Sequence, residues 1–379
     1  MSTHRAVVLA KLGDKPIIER HPTLLPAAGQ ILVAPLFSPV LSYQHAVHSG
    51  ERGNPLALPM VPGTSAVGRV VAVGPDATKL KAGDLVFVDA TLRGRDDPGV
   101  TSLQGLFRMH PALDNVWHDG SWAERFLAPL ESAFKLDADA VVAHRTTMSQ
   151  LAAIPRLMVP YGGWRTGGLR PGGAVAVAYA SGAFGGAAID VALGMGASRV
   201  VALGRRAETL VPAVRAFDDG VAARPGTVVP VVLSGNSDRD AVAIRAATPG
   251  ERGLDVFLDL SPPAAASSCT ALLAAAVLAL KPGGTLVLMG GVRESVAIPY
   301  QVVMLRNIII KGRFMFLRKW VEELVALIEC GSVSLARQTV RCFTLDEHER
   351  AVQVAKDDAG SGRSVALTPV VESQDKSLQ

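Results

Sequence analysis

Cysteine is nearly absent: Cys269, Cys330 and Cys342 are the only three in 379 residues, and no two form a Cys-x-x-Cys pair. A disulfide framework and a cysteine-built zinc site are thereby excluded, and a reducing, cytoplasmic compartment is expected. Long apolar runs are missing as well. None reaches the roughly 18–20 residues of a membrane span, and Met1 to Arg5 leads into Ala6 to Leu9 without the apolar core of a secretory signal. Charge of one sign is nowhere concentrated. The 38 Lys and Arg exceed the 34 Asp and Glu by four with no basic block, so neither nucleic acid nor a membrane surface is an expected partner. The 372–379 tail is polar and expected to fray, and it ends in Gln379 rather than the peroxisomal Ser-Lys-Leu.

What is present points to a well-buried enzyme: 49% of residues are apolar and 19% charged. The length predicts two domains. Residues 5 to about 150 carry short apolar runs broken by Gly and Pro, namely Ala6 to Leu9, Gln30 to Leu36, Ala66 to Val73, Leu85 to Val88 and Trp122 to Leu127. Such spacing predicts a β-rich unit, a small irregular barrel. From about 158 strands alternate with helices. The strands are Ala174 to Ala178, Arg199 to Leu203, Val228 to Leu233, Asp255 to Leu260, Thr285 to Met289 and Ile308 to Lys311. Near-continuous apolar strands alternating with helices predict a six-stranded parallel sheet covered on both faces, the doubly wound Rossmann dinucleotide fold. An amphipathic helix (Trp320 to Cys330), a strand (Gln338 to Phe343), a helix (Leu345 to Ala355) and a last strand (Ser364 to Leu367) follow.

The chemistry is carried by the first of those strands and the turn after it: Ala180, Ser181, Gly182, Ala183, Phe184, Gly185, Gly186. Glycine lets backbone approach a pyrophosphate without an intervening Cβ, and the first N–H groups of the next helix point at the anion. Ala180 stands where the pattern has its first glycine. Gly182 and Gly185 fill the second and third places, so Ser181, Gly182, Ala183, Phe184 and Gly185 are read as the cofactor cradle. The competing reading is a tight packing turn. At the end of the second strand, where an NAD site places Asp or Glu, stands Gly204, followed by Arg205 and Arg206. No carboxylate repels a 2′-phosphate there, and guanidinium binds phosphate bidentately, so NADPH is the expected cofactor. Two solvated arginines opening the next helix are the bland alternative.

These segments in this order resemble the medium-chain dehydrogenase/reductase superfamily. Pro62 to Gly68 is similar to its Pro-Gly-His-Glu-x-x-Gly stretch, Val73 to Val88 to its Val-Gly…Gly-Asp-x-Val turn, Asp119 to Phe126 to its Asp-Gly-x-x-Ala-Glu segment, and Lys281 to Gly290 to its Lys-Pro-Gly-Gly strand. Pro62 to Gly68, Gly94 to Pro98 and Val159 to Gly163 further resemble fungal alcohol dehydrogenase-like proteins. The resemblance implies an α/β chain with a GroES-like catalytic domain, 1–157 completed by 312–379, and a Rossmann domain, 158–311. It also implies Gly290 as a cofactor contact and a homodimer paired through the edges of the cofactor sheets. Zinc members carry Cys or His where this chain has Leu41 and Thr64, and Cys or Asp near Ile154 and Pro155. None of these is a zinc ligand, and no cysteine precedes Cys269 to build a structural zinc lobe. A metal-free member is implied, like the quinone and enoyl reductases.

Without a Lewis acid, either hydrogen-bond donors stabilise the negative charge left by hydride transfer, or the substrate spreads it. Reduction of an enone or quinone is therefore expected first, ketone/alcohol interconversion next, then an iminium; a catalytically inactive dinucleotide sensor is the alternative from another class. Tyr43 falls where zinc members carry the hydroxyl of their proton relay and is the candidate donor, against a packing role under the cofactor. His45 and His48 are secondary relay candidates, each more readily structural. Arg93 and Arg95, beside Asp96 and Asp97, read first as a solvated, self-paired loop, with lining of the cleft mouth as the alternative. Trp122, Trp164, Phe314 and Phe316 are core by default and substrate walls otherwise.

Overall fold

The structure, a computed structural model, describes residues 2–218, 226–359 and 363–370, so the 372–379 tail lies outside the described residues. Packing divides the chain into two units: Met1–Pro155 with Gln338–Ala359 and Arg363–Gln379, and the intervening Arg156–Arg337.

The first unit is built on a seven-stranded sheet. Its order is Val340–Thr344, Ser364–Thr368, Gln30–Val40, Ala66–Val73, Leu85–Val88 and Ala133–Lys135, with Phe126–Pro129 also on Gln30–Val40. Segments far apart in sequence thus share one sheet. Alternate residues of its strands, Ile31, Val33, Val70, Val86, Val88 and Phe126 among them, point into one core. A second core joins Val7, Trp122, Leu345, Ala351 and Leu367, burying the apolar side of the His348–Asp357 helix. The Leu80-to-Asp84 turn closes on the Asp84 carboxylate, which accepts from Lys81 N at 3.0 Å and from Lys135 Nζ at 2.8 Å. The expectation of a self-paired loop at Arg93 to Asp97 is corrected. Arg93 pairs with buried Asp89 at 3.2 Å, and Arg95 with Glu131 at 2.8 Å while donating to Gly29 O at 2.7 Å. The loop is thus pinned through partners elsewhere, while Asp97 accepts locally from Gly99 N.

The second unit holds six parallel strands in the order Val228–Val232, Arg199–Gly204, Ala174–Ala178, Leu254–Asp259, Leu280–Leu288, Ile309–Gly312. The order reverses between Ala174–Ala178 and Leu254–Asp259, and the crevice outside the carboxyl ends of strands at such a reversal is where doubly wound sheets bind ligands. At the opposite ends, Asp255 accepts from Ala174 N at 2.7 Å and pairs with Lys281 at 2.9 Å, which ties three strands together. Residues 312–337, assigned from sequence to the completing part of the first domain, pack with this second unit. Their Arg318–Glu329 helix buries Trp320, Val321, Leu324, Val325 and Ile328, and Glu323 accepts from Tyr161 OH at 2.9 Å.

Candidate functional site

Strand Ala174–Ala178 is fully buried and delivers the chain into the turn at the sheet's reversal point. The helix Ala183–Gly194 begins at Gly182, an N-cap in extended conformation with no side-chain cap. Its first backbone bond runs from Gly186 N to Gly182 O at 2.9 Å. The amides of Ala183, Phe184 and Gly185 therefore have no intrahelical acceptor and sit at the positive end of the helix dipole. A Cβ on Gly182 would meet nothing nearer than 3.8 Å, whereas one on Gly185 would stand 2.6 Å from Ala180 Cα. Gly182 leaves open space beside the free amides, and Gly185 allows the helix to pack on the turn. Ala180 at the first glycine place is buried, and its N–H donates to Leu203 O at 2.8 Å. A residue whose role there is to lace the turn to the second strand, with no positive φ, tolerates a methyl group. Ser181, Gly182, Ala183 and Phe184 are half-buried and line this cradle, which fits the pyrophosphate of a dinucleotide.

The second strand ends at buried Gly204, beside which Arg205 and Arg206 are exposed. Among the described residues the Arg206 side chain makes a long contact, 3.9 Å, to Glu208. Arg205 places its guanidinium 5.2 Å from the centre of the Tyr179 ring. Gly290 follows the fifth strand, and a Cβ there would stand 2.7 Å from an Asp259 carboxylate oxygen. Asp259, absent from the sequence reading, is buried; it accepts from Ser261 N at 3.0 Å and from Ser261 Oγ at 2.5 Å. Burial raises its pKa, opposed by those bonds and by one from the Gly290 amide. This carboxyl fixes the ends of the fourth and fifth strands to each other. Its sequence signal, an acid at the end of an apolar strand, is too common to have singled it out.

In the first unit, Tyr43 caps the Gln44–His48 helix through its backbone carbonyl, and Arg52 lies 4.2 Å over its ring. Burial raises the phenol's pKa, with Arg52 opposing. His48 is buried, accepts from Gln44 Nε2 at 2.9 Å and packs edge-on against Trp122. Its pKa falls to about 4 through burial and the neighbouring His348 and His45. At neutral pH it is an uncharged structural group. His45 differs, since its Nδ1 is buried without a hydrogen-bond partner among the described residues. Trp122, Trp164 and Phe316 are core, Trp164 donating to Ala188 O at 2.9 Å, while Phe314 is exposed.

Leu41, Thr64, Ile154 and Pro155 offer no thiolate, imidazole or carboxylate to a metal ion. Thr64 is buried, Leu41 half-buried and Ile154 wholly buried. Among the described residues no group of three His, Cys, Asp or Glu side chains is placed to hold a metal ion. Also among these residues, no helix is long and apolar enough to cross a membrane.

Residues 28–138 match the alcohol dehydrogenase GroES-like domain. A "Probable D-xylulose reductase A" from Aspergillus clavatus is 25% identical over 313 residues, 82% of this chain and 81% of that protein. Among solved structures, a "putative zinc-binding dehydrogenase" from Sinorhizobium meliloti 1021 bound to NADP superposes with a TM-score of 0.75 at 21% identity, over 97% of this chain and 100% of that one. A short chain alcohol dehydrogenase from E. coli CFT073 complexed with NADH gives 0.75 at 17% identity over the same shares, 97% and 100%. The fold is thus shared by proteins holding either nicotinamide nucleotide. Residues 28–138 thus belong to the alcohol dehydrogenase GroES-like domain family, and the whole chain, with its six-stranded parallel sheet, is similar in fold to these dehydrogenases and reductases, which supports an oxidoreductase.

Proposed function

We propose that the protein is a zinc-independent reductase that uses NADPH to reduce a conjugated C=C bond or a quinone in a small apolar substrate. The observation that carries the cofactor choice is the second strand's end: Gly204 offers no carboxylate, and Arg205 and Arg206 stand exposed beside it. Guanidinium groups there suit a 2′-phosphate. When bound, the nicotinamide supplies hydride; the chain's residues must bind it, orient it and handle the resulting charge. The open amides of Ala183 to Gly185 would hold the pyrophosphate, and the backbone at Gly290 would lie alongside.

The substrate class follows from charge. Leu41 and Thr64 give no Lewis-acid site, so several kcal/mol of alkoxide stabilisation are lost relative to a zinc enzyme. An enone or quinone takes hydride at carbon and delocalises the electron pair onto oxygen, which then needs one proton. Tyr43, kept protonated through neutral pH by its raised pKa, would supply it. A second reading, ketone/alcohol interconversion, is favoured by the name of the Aspergillus relative, a D-xylulose reductase. Following NADPH oxidation against panels of enones, quinones, ketones and imines decides between them. Turnover of ketones alone would overturn the enone reading, and no turnover of any panel would favour a dinucleotide-binding sensor.

The cofactor assignment is tested separately. Replacing Arg205 and Arg206 together by Ala is expected to raise the Kd for NADPH while leaving that for NADH nearly unchanged; equal weakening refutes it. A homodimer is part of the same reading. Edge strand Ile309–Gly312 is largely exposed, and Tyr300, Met304 and Leu305 on the preceding helix are exposed apolar side chains that a second copy would cover. The three unpaired cysteines suit the cytoplasm.

A further inference from the structure

Tyr179 is the one large side chain of the glycine turn that the reading above leaves without a role. It follows the first strand directly, and three constraints fix it. Its neighbour Ala178 is in register with Leu203. The next residue, Ala180, donates its N–H to Leu203 O at 2.8 Å, so the turn is laced to the second strand two residues before Arg205. Finally, the phenol lies 3.1 Å from Ser268 Oγ. Ser268 Oγ also lies 3.1 Å from Ala265 O, which can only accept, and with the Ser268 proton on that carbonyl the phenol donates to Ser268. The hydroxyl is thereby committed away from any ligand, and the face of the ring is what remains available. Arg205 occupies it, 5.2 Å from the ring centre.

An exposed arginine at a strand end disperses over many rotamers, and ordering it on binding an anion costs affinity. A ring held rigid from two sides removes part of that cost by keeping the guanidinium stacked while its in-plane N–H groups stay free to donate. We propose that Tyr179 is a specificity-determining residue, which sets the preference for a 2′-phosphorylated nicotinamide nucleotide by pre-ordering Arg205. The inference rests on the NADPH reading of Arg205. It makes Tyr179 a positioning residue, since it acts through Arg205.

The test is equilibrium binding of NADPH and NADH to the full-length protein, each titrated directly, for the wild type, Arg205→Ala, Tyr179→Leu, Tyr179→Trp and the Arg205→Ala/Tyr179→Leu double variant. Arg205→Ala is expected to raise the NADPH Kd about tenfold or more, with NADH nearly unmoved. Tyr179→Leu is expected to raise the NADPH Kd about two- to fivefold beyond any change for NADH. Tyr179→Trp, which restores an aromatic face, should recover most of the discrimination. In the Arg205→Ala background the Leu substitution should leave the NADPH/NADH ratio unchanged, because the partner it acts through is gone. A selective effect of Arg205→Ala with none from Tyr179→Leu overturns this inference alone. The same follows if Tyr179→Leu stays selective without Arg205. Equal loss of both nucleotides in Arg205→Ala overturns the NADPH reading and this inference with it.

Discussion

Half-buried Arg337 and buried Asp190 form an ion pair in which the Arg337 Nε donates to an Asp190 carboxylate oxygen at 2.9 Å and Nη2 bonds the same oxygen. Asp190 lies on the helix that starts at the glycine turn, and its charge also faces Arg156. The first and last residues of the cofactor unit are therefore both turned toward one carboxylate. Replacing it with Asn strands buried positive charge. Asp190→Asn should cost about 3–5 kcal/mol in urea unfolding, and the added change Arg337→Met should recover a large part of it; no recovery would show that the pair is not the source of the loss.

His48 predicts an acid-sensitive fold. Its folded pKa, about 4, lies below the ordinary 6.5 because burial and the facing His348 and His45 disfavour its charged form. A depressed pKa means that the stabilisation is present above the unfolded value and is lost as pH falls toward the folded one. Between pH 7 and pH 5 this single group should remove about 2 kcal/mol. Unfolding curves of wild type and His48→Gln at the two pH values measure it: the difference between the proteins should narrow at pH 5.

For Tyr43 the raised pKa fixes the direction of the rate profile. A proton donor loses function as it ionises, so turnover should hold through neutral pH and fall only above the ordinary tyrosine range. Tyr43→Phe should lower kcat by roughly 10²–10⁴ with little change in KM and abolish that alkaline limb. An unaltered kcat would remove Tyr43 from the mechanism.

Gly185 couples binding to folding at the turn. A Cβ there meets Ala180 Cα at 2.6 Å and lies closer still to the Tyr179 carbonyl. Gly185→Ala is expected to push the helix off the turn, costing about 1–3 kcal/mol of stability and most of the nucleotide affinity. Gly186→Ala, where a Cβ meets nothing within 4 Å, serves as the control and should alter neither.

Association is checked at the sheet edge. Ile309 is 43% exposed on the last strand, and Ile309→Lys places a charge on that edge. Sedimentation should show the wild type as a dimer and the variant shifted toward monomer without a change in circular dichroism.

Elements with a clean local pattern were readable in advance. Ala66–Val73, Leu85–Val88 and Ala174–Ala178 have the bounds expected from their apolar runs, because Gly74 and Asp89 mark where the first two stop and Gly173 where the third starts. The Ile154–Gly167 helix was not, since it holds Pro160 and three glycines and has no apolar stripe. It is buried on nearly all sides, and its glycines serve approach: a Cβ on Gly163 would lie 2.8 Å from Met289 Sδ. In the candidate cofactor site, the places of the turn and of the two arginines at their strand ends were legible, because spacing along one chain segment defines them. The Tyr179–Arg205 contact and the link from Asp259 to the Gly290 backbone were not, as each joins strands that only the sheet brings together.

The missing side chain at position 204 also constrains descent. Leu210, wholly buried, would stand 3.1 Å from a Cβ added to Gly204. A lineage acquiring a carboxylate there must crowd Leu210 at the same step, and one that first trims Leu210 to Ala gives up about 2–5 kcal/mol before any gain. A nucleotide preference set at this strand end would thus be guarded by the packing of a neighbouring helix as much as by the two arginines beside it.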